Sequence, residues 1–219
     1  MHTSSSNCEG SRSLAVIDYG VNNVGSVMNA LRRVGAAAYV ARSDADLARA
    51  RAIVLPGIGA FDTGVKNLRA LGLFDAIRAR VQGDGVPILG ICLGMQLLTK
   101  GSEEGSAEGL GLIDAETRKL SLESTTASDL KLPHMGWCET RCTDEALFDG
   151  LRAEGTRFYY VHSYRVVCAD PRDVAATASY GQEFASAVHR GPIYGTQFHP
   201  EKSHRFGLRV FANFTGLLR

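Results

Sequence analysis

Hydrophobic residues enter this chain in two rhythms. From Ser13 to Asp18 they form a short apolar run ending in a turn, and over Val24 to Val34 they return at helical spacing, with Asn22 or Asn23 placed as the cap. Ala52 to Leu55 predicts a second strand closed by Pro56 and Gly57, and Leu68 to Val81 predicts a helix. Val86 to Ile91 predicts a strand that runs into a helix over Leu93 to Thr99. Elements alternating in this order build a parallel sheet covered on both faces.

Beyond about Gly101 the rhythm changes. Gly105 to Arg118, Pro133 to Cys142, Thr156 to Cys168 and Ala175 to His189 are short β-like runs between polar turns, so the second half reads as more antiparallel. Pro192 to Phe198 predicts a last strand, and a helix follows from about Arg205 to Leu218. Residues 1–12 are polar and serine-rich and read as a flexible tail, with one domain over 13–219; the polar stretch Ser121 to Asp129 has the length of a surface loop.

Composition narrows the partners. The 24 basic and 23 acidic side chains nearly cancel and form no block, which argues against nucleic acid and against an acidic membrane surface. No run approaches the roughly 20 apolar residues that cross a bilayer, and the N-terminus has no apolar signal core, so a cytoplasmic protein with a small substrate is expected. The 5 cysteines are an odd set, and Cys138 with Cys142 has no second pair to complete a zinc site, so no metal or other cofactor is expected. Cys138, Cys142 and Cys168 read as small half-buried hydrophobes in a reducing compartment.

Cys92 reads differently. Gly90, Ile91, Cys92, Leu93 and Gly94 form a Gly-x-Cys-x-Gly where an apolar strand gives way to a helix, the cysteine counterpart of a nucleophile elbow. Such an elbow is a sharp, strained turn, and flanking residues without Cβ let strand and helix close on each other. Unsatisfied N–H groups at the helix start favour a thiolate. Alone, a buried cysteine finishing a strand would be the plainer reading; the two glycines reverse it. An oxyanion formed at this site needs two donors. Leu93 N–H supplies one. The loop Pro56, Gly57, Ile58 and Gly59, opening at the same carboxyl edge of the sheet, is the natural source of the second, although Pro and Gly also simply punctuate strand ends.

A base is expected at another strand end, in Gln197, Phe198, His199, Pro200 and Glu201. Residues two apart in an extended segment share a side, so Glu201 can orient His199 while the other imidazole nitrogen faces a thiol. His134, His162, His189 and His204 lack a carboxylate two residues on and read as ordinary surface or core histidines.

These motifs resemble class I glutamine amidotransferases from about Leu14 to the C-terminus. Six blocks in order carry a narrower resemblance, to the glutaminase subunits of imidazole glycerol phosphate synthases: Ile17 to Gly20, Leu55 to Phe61, Gly90 to Leu98, Pro133 to Trp137, Tyr160 to Tyr164 and Gln197 to Ser203. The resemblance implies a flavodoxin-like α/β fold and hydrolysis of glutamine by Cys92, His199 and Glu201. It further implies that Gln96, Glu104 and the backbone at Ser163 and Tyr164 hold the substrate. The implied partner is a (β/α)₈-barrel cyclase, paired as a heterodimer and met by Asn23, Trp137 and Lys202. Without it, Gln96 and Glu104 would read as solvated polar residues and Trp137 equally as core. The sequence departs from the family's usual pattern at Asn22, where a glycine is usual, and at Cys138, where an asparagine is usual. Both positions fall on the implied docking side. A related subunit serving another acceptor, such as a sugar amidotransferase, and a non-catalytic flavodoxin-like module are the competing readings.

Overall fold

A computed structural model describes residues 13–122, 130–144 and 146–218. The expected tail over residues 1–12, with Cys8, and most of the expected loop over 121–129 lie outside the described residues. In chain order the first half holds β1 (Leu14–Ile17), α1 (Val24–Arg33), β2 (Ala38–Ala41), α2 (Asp44–Leu47), β3 (Ala52–Gly57), α3 (Phe61–Ala70), α4 (Leu73–Arg78), β4 (Ile88–Cys92) and α5 (Leu93–Leu97). The second half holds β5 (Ala115–Lys119), β6 (His134–Cys142), β7 (Arg157–His162), β8 (Tyr164–Cys168), β9 (Val174–Tyr180), β10 (Gln182–Arg190), β11 (Ile193–Thr196) and α6 (His204–Gly216).

These strands form an 11-stranded sheet ordered β2-β1-β3-β4-β11-β10-β9-β6-β7, with β8 pairing β10 and β5 off that path. The first five strands of that order run parallel, and every pairing from β11 onward is antiparallel. The expected division into a parallel first half and an antiparallel second half is what the sheet displays. β11, last in sequence, enters the parallel half beside β4, which brings the C-terminal turn to the first half's functional edge.

Alternate residues of the parallel strands serve two cores. Ala15, Ile17, Ile53, Leu55 and Ile88 pack with Leu68, Leu73, Phe74 and Ile77 of α3 and α4. Leu14, Val16, Val54, Leu89 and Ile91 pack on the other face with Val27 and Leu31 of α1 and Val210, Phe211 and Phe214 of α6. This is why β1, β3 and β4 read as unbroken apolar runs: both faces are dry. Among the described residues, no helix is long and apolar enough to cross a membrane.

Several boundaries differ from expectation. Leu68 to Val81 is not one helix, because Gly72 at φ 68° ends α3 and starts α4. β2 has only a weak signal, since Ala38, Tyr39 and Val40 are half-buried in an edge strand next to an alanine run. Gly105 to Arg118 gives a strand only from Ala115, and the rest is a glycine-bearing loop hydrogen-bonded to Leu97, Leu98, Thr99 and Lys100. Pro56 and Gly57 belong to β3 rather than to a closing turn; β1 pairs β3 only as far as Val54, so the missing proline donor leaves no gap in the ladder.

Candidate active site

β3, β4 and β11 end side by side at one carboxyl edge, with Gly57 level with Cys92 and Thr196 level with Ile91. Ligands of open α/β sheets bind outside such an edge. Here lies a cavity of about 550 Å³ whose walls include Ile58, Gly59, Cys92, Leu93, Gln96, Glu104, Ser163, Tyr164, His199 and Lys202.

Cys92 stands between β4 and α5 at φ 54°, ψ −107°. Among the described residues only Cys92 and His204 have positive φ without being glycine. The flanking glycines make this turn possible. A Cβ on Gly90 would meet the Gly94 carbonyl oxygen at 2.6 Å, and one on Gly94 would overlap the Leu55 carbonyl oxygen. The residue is 7% exposed, with Sγ 3.7 Å from the Val161 carbonyl oxygen and 3.8 Å from Gln197 Nε2.

His199 is delivered by the turn after β11. Its N–H donates to Tyr159 of β7 at 2.9 Å, and Ser203 ties the turn by donating from Oγ to the His199 carbonyl at 2.7 Å. Pro200 to Lys202 then form a 3₁₀ turn rather than an extended run, and it is this turn that swings Glu201 beneath the ring. Glu201 Oε1 lies 2.8 Å from His199 Nδ1, and both side chains are 2% exposed. Burial pulls the imidazolium down. The charge and hydrogen bond of the Cys92 sulfur, with those of Glu201, outweigh it and raise the His199 pKa to about 10. Nδ1 belongs to Glu201, so Nε2 faces the sulfur. The three residues expected as a triad are therefore in contact: sulfur, imidazole, carboxylate.

Leu93 is the first residue of α5, where an N–H has no partner within the helix. The Gly57 to Gly59 loop forms the opposite wall, with Gly57 packed against Leu93 and Gly59 at φ 98°. Ile58 N–H, however, is already engaged, donating to the Val21 carbonyl at 2.9 Å. Gln96 Nε2 reaches the Tyr164 carbonyl at 3.4 Å and Gln197 Oε1 at 3.2 Å. Glu104 Oε2 accepts the Phe61 N–H at 2.8 Å, holding the start of α3 to the cavity wall.

Asn23 caps α1, its side chain accepting from Ser26 N–H at 3.4 Å. Asn22 does not take positive φ; its amide donates to the Ile17 carbonyl at 3.0 Å, so the position works without the usual glycine. Trp137 is 44% exposed and stacks on His204 at 5.4 Å, and Lys202 Nζ lies 5.8 Å above the Tyr159 ring. Ile58 on the cavity wall and Met135 of β6 are also exposed. Cys138, Cys142 and Cys168 are half-buried or buried, and burial raises each thiol, the last two to about 12.

Sequence reasoning passed over His162, which lines the cavity beside Cys92. Its signal was the alternation that turns Tyr160 and His162 to the same buried face of β7. It passed over Gln197 too, 0% exposed and in contact with the sulfur.

A family model described as glutamine amidotransferase class-I matches residues 15–216. The chain belongs to that family. Within the class I glutamine amidotransferases it is 44% identical over 201 residues to imidazole glycerol phosphate synthase subunit HisH 2 of Methanococcus maripaludis, covering 92% of this chain and 98% of the relative. A protein of the same name from Pseudomonas aeruginosa is 45% identical over 206 residues, covering 94% and 100%. Among solved structures, PurLQS from Thermotoga maritima superposes with a TM-score of 0.72 at 20% identity over 95% of this chain and 100% of that one. A glutamine amidotransferase from the same organism gives 0.63 at 18% identity over 92% and 80%. Both share the α/β fold expected from the motifs.

Proposed function

We propose that this chain is the glutaminase subunit of an imidazole glycerol phosphate synthase, with Cys92, His199 and Glu201 as its triad. The observation that carries the triad is the contact series Sγ, imidazole, Glu201 Oε1 at the carboxyl edge of β3, β4 and β11. The near-full-length identity to HisH subunits supports the pathway.

The chemistry follows from the positions. The Cys92 sulfur attacks the side-chain carbonyl carbon of glutamine, and the carbonyl oxygen takes the charge beside Leu93 N–H. Collapse breaks the C–N bond while His199 Nε2–H protonates the departing nitrogen, giving ammonia and a glutamyl thioester. The sulfur charge that holds the proton on His199 is lost once the C–S bond forms, which frees that proton for the departing nitrogen, and Glu201 fixes the ring by accepting from Nδ1. Water, deprotonated by His199, then attacks the thioester; glutamate leaves and the thiol reforms. Gln96, Glu104 and the Ser163 and Tyr164 backbone line the cavity where the amino acid would lie.

The ammonia passes to a partner cyclase, a (β/α)₈ barrel forming a heterodimer with this chain in the cytoplasm, which makes imidazole glycerol phosphate and AICAR. Ammonia released to neutral water becomes ammonium, which is no nucleophile, so a dry passage between subunits preserves it. Asn23, Trp137 and Lys202 are the residues proposed to meet the barrel. The deciding experiment mixes the purified chain with its cognate cyclase and the cyclase's nucleotide substrate and measures glutamate from glutamine. Wild type releases glutamate, and Cys92→Ala loses at least about 1000-fold. Silence from the wild-type mixture would overturn the proposal.

A further inference from the structure

Beside the nucleophile, two buried amides outside the triad and a half-buried backbone carbonyl are joined head to tail. The Tyr164 carbonyl, an acceptor only, lies 2.8 Å from His162 Nδ1 and 3.4 Å from Gln96 Nε2. The same Gln96 nitrogen lies 3.2 Å from Gln197 Oε1, and Gln197 Nε2 lies 3.8 Å from Cys92 Sγ. Gln96 is 5% exposed and Gln197 0%, so the bond between the two amides and the contact of Gln197 with the sulfur are buried.

Their direction is fixed from one end. A carbonyl cannot donate, so Gln96 must turn its NH₂ toward Tyr164, and the second hydrogen of that NH₂ is left for Gln197 Oε1. With its oxygen engaged there, Gln197 presents its own NH₂ to the sulfur. An inverted Gln197 would set NH₂ against NH₂ at Gln96 and oxygen against sulfur at Cys92. The sulfur's other neighbours differ in what they offer. Val161 carbonyl, 3.7 Å away, can accept from the thiol but gives nothing to a sulfur that has lost its proton. His199 gives a donor only while it holds the proton it is about to transfer. Gln197 N–H donates throughout.

We propose that Gln197 is a further catalytic residue, whose side-chain N–H supports the negatively charged sulfur of Cys92, with its direction set by Gln96 and the Tyr164 carbonyl. The proposal rests on Cys92 being the nucleophile. Hydrogen bonds to a charged partner are roughly twice as strong as neutral ones, so this donor favours the reacting form over the resting thiol. A merely structural amide would behave otherwise: its removal would lower the melting temperature and leave sulfur reactivity alone.

The test uses the full chain carrying Gln197→Met, which keeps length and volume and removes the donor. Alkylation of Cys92 by iodoacetamide at neutral pH, without glutamine or partner, is followed by mass spectrometry; kcat and KM are then measured with the cyclase and its nucleotide substrate. The expected result is alkylation about tenfold slower, a fall in kcat of the same order, and KM within about twofold. Wild-type alkylation in a folded Gln197→Met chain overturns the proposal. Should that variant not fold, Gln96→Leu removes the partner that orients Gln197, and an unchanged alkylation rate there overturns it equally. Because alkylation is read without turnover, a wild type that releases no glutamate would sink the glutaminase reading while this comparison still judges Gln197.

Discussion

At the scale of single residues, Cys92 is held where an ordinary side chain does not rest. Its φ of 54° with ψ of −107° lies outside the helical and extended wells, and such conformations cost about 1–3 kcal/mol. The strain points the sulfur out of the sheet edge, so it is stability given up for geometry. Replacing Cys92 by glycine and by alanine separates the two terms, since both remove the sulfur and only glycine accepts the backbone. Cys92→Gly should melt higher than Cys92→Ala, by about 1 kcal/mol of unfolding free energy in denaturant titrations. Equal stability would mean that the elbow is unstrained. The proposed triad could be picked out in the sequence because each member carries a local mark, glycines around Cys92 and a carboxylate two residues after His199. Gln197 carries none, and His162 only the alternation that buries it in β7. A buried amide or neutral imidazole acquires its role from the atoms it meets across the fold, and those are set by strand order, which no local pattern encodes.

At the scale of elements, β6 and β7 bring a pair of histidines together. His134 faces His162 in register, with Nδ1 and Nε2 3.0 Å apart, and His162 Nδ1 lies 2.8 Å from the Tyr164 carbonyl. Burial lowers both to about 4, helped at His162 by the neighbouring His134 and His199. Both are therefore neutral at pH 7, and His162 serves as donor to Tyr164 while accepting from His134. The sign of the pH effect follows. Above the ordinary imidazole value of 6.5 the pair is neutral in folded and unfolded chains alike; below it the unfolded chain takes up protons that the folded one refuses. Stability should fall as pH drops from about 6.5 toward 4, by on the order of 2 kcal/mol for each histidine. Chemical denaturation at pH 7 and pH 5 checks this, and His134→Gln should flatten the slope. An unchanged slope would place the acid sensitivity elsewhere. These strands were legible as β, yet Thr156 to Cys168 read as one run where the chain breaks at Ser163 into β7 and β8. Serine is a weak breaker in sequence. The break is imposed by tertiary contacts, because Ser163 carbonyl accepts from Leu120 and His162 turns back on Tyr164.

At the scale of the whole molecule, one hydrogen bond ties the catalytic edge to the loop before α1. Ile58 N–H donates to the Val21 carbonyl at 2.9 Å, so of the loop's candidate oxyanion donors, Gly57, Ile58 and Gly59, Ile58 is engaged elsewhere in the isolated chain. Val21 is flanked by Gly20 and by Asn22 and Asn23, on the side proposed to meet the cyclase. The exposed Ile58 side chain, 44% accessible, lies at the same edge. A missing oxyanion donor costs about 3 kcal/mol of barrier, or roughly 100-fold in rate. The isolated chain should accordingly hydrolyse glutamine on the order of 100-fold more slowly than the chain bound to its cyclase and nucleotide. Trp137→Ala gives the control, because the exposed indole stacked on His204 lies beyond the cavity wall around Cys92. It should weaken the heterodimer by about 2 kcal/mol, seen by titration calorimetry, and leave Cys92 alkylation in the isolated chain as in wild type. At saturating cyclase its glutaminase rate should return to the wild-type value. Equal rates for the wild-type chain with and without its partner would show that the Val21 bond places no limit on catalysis.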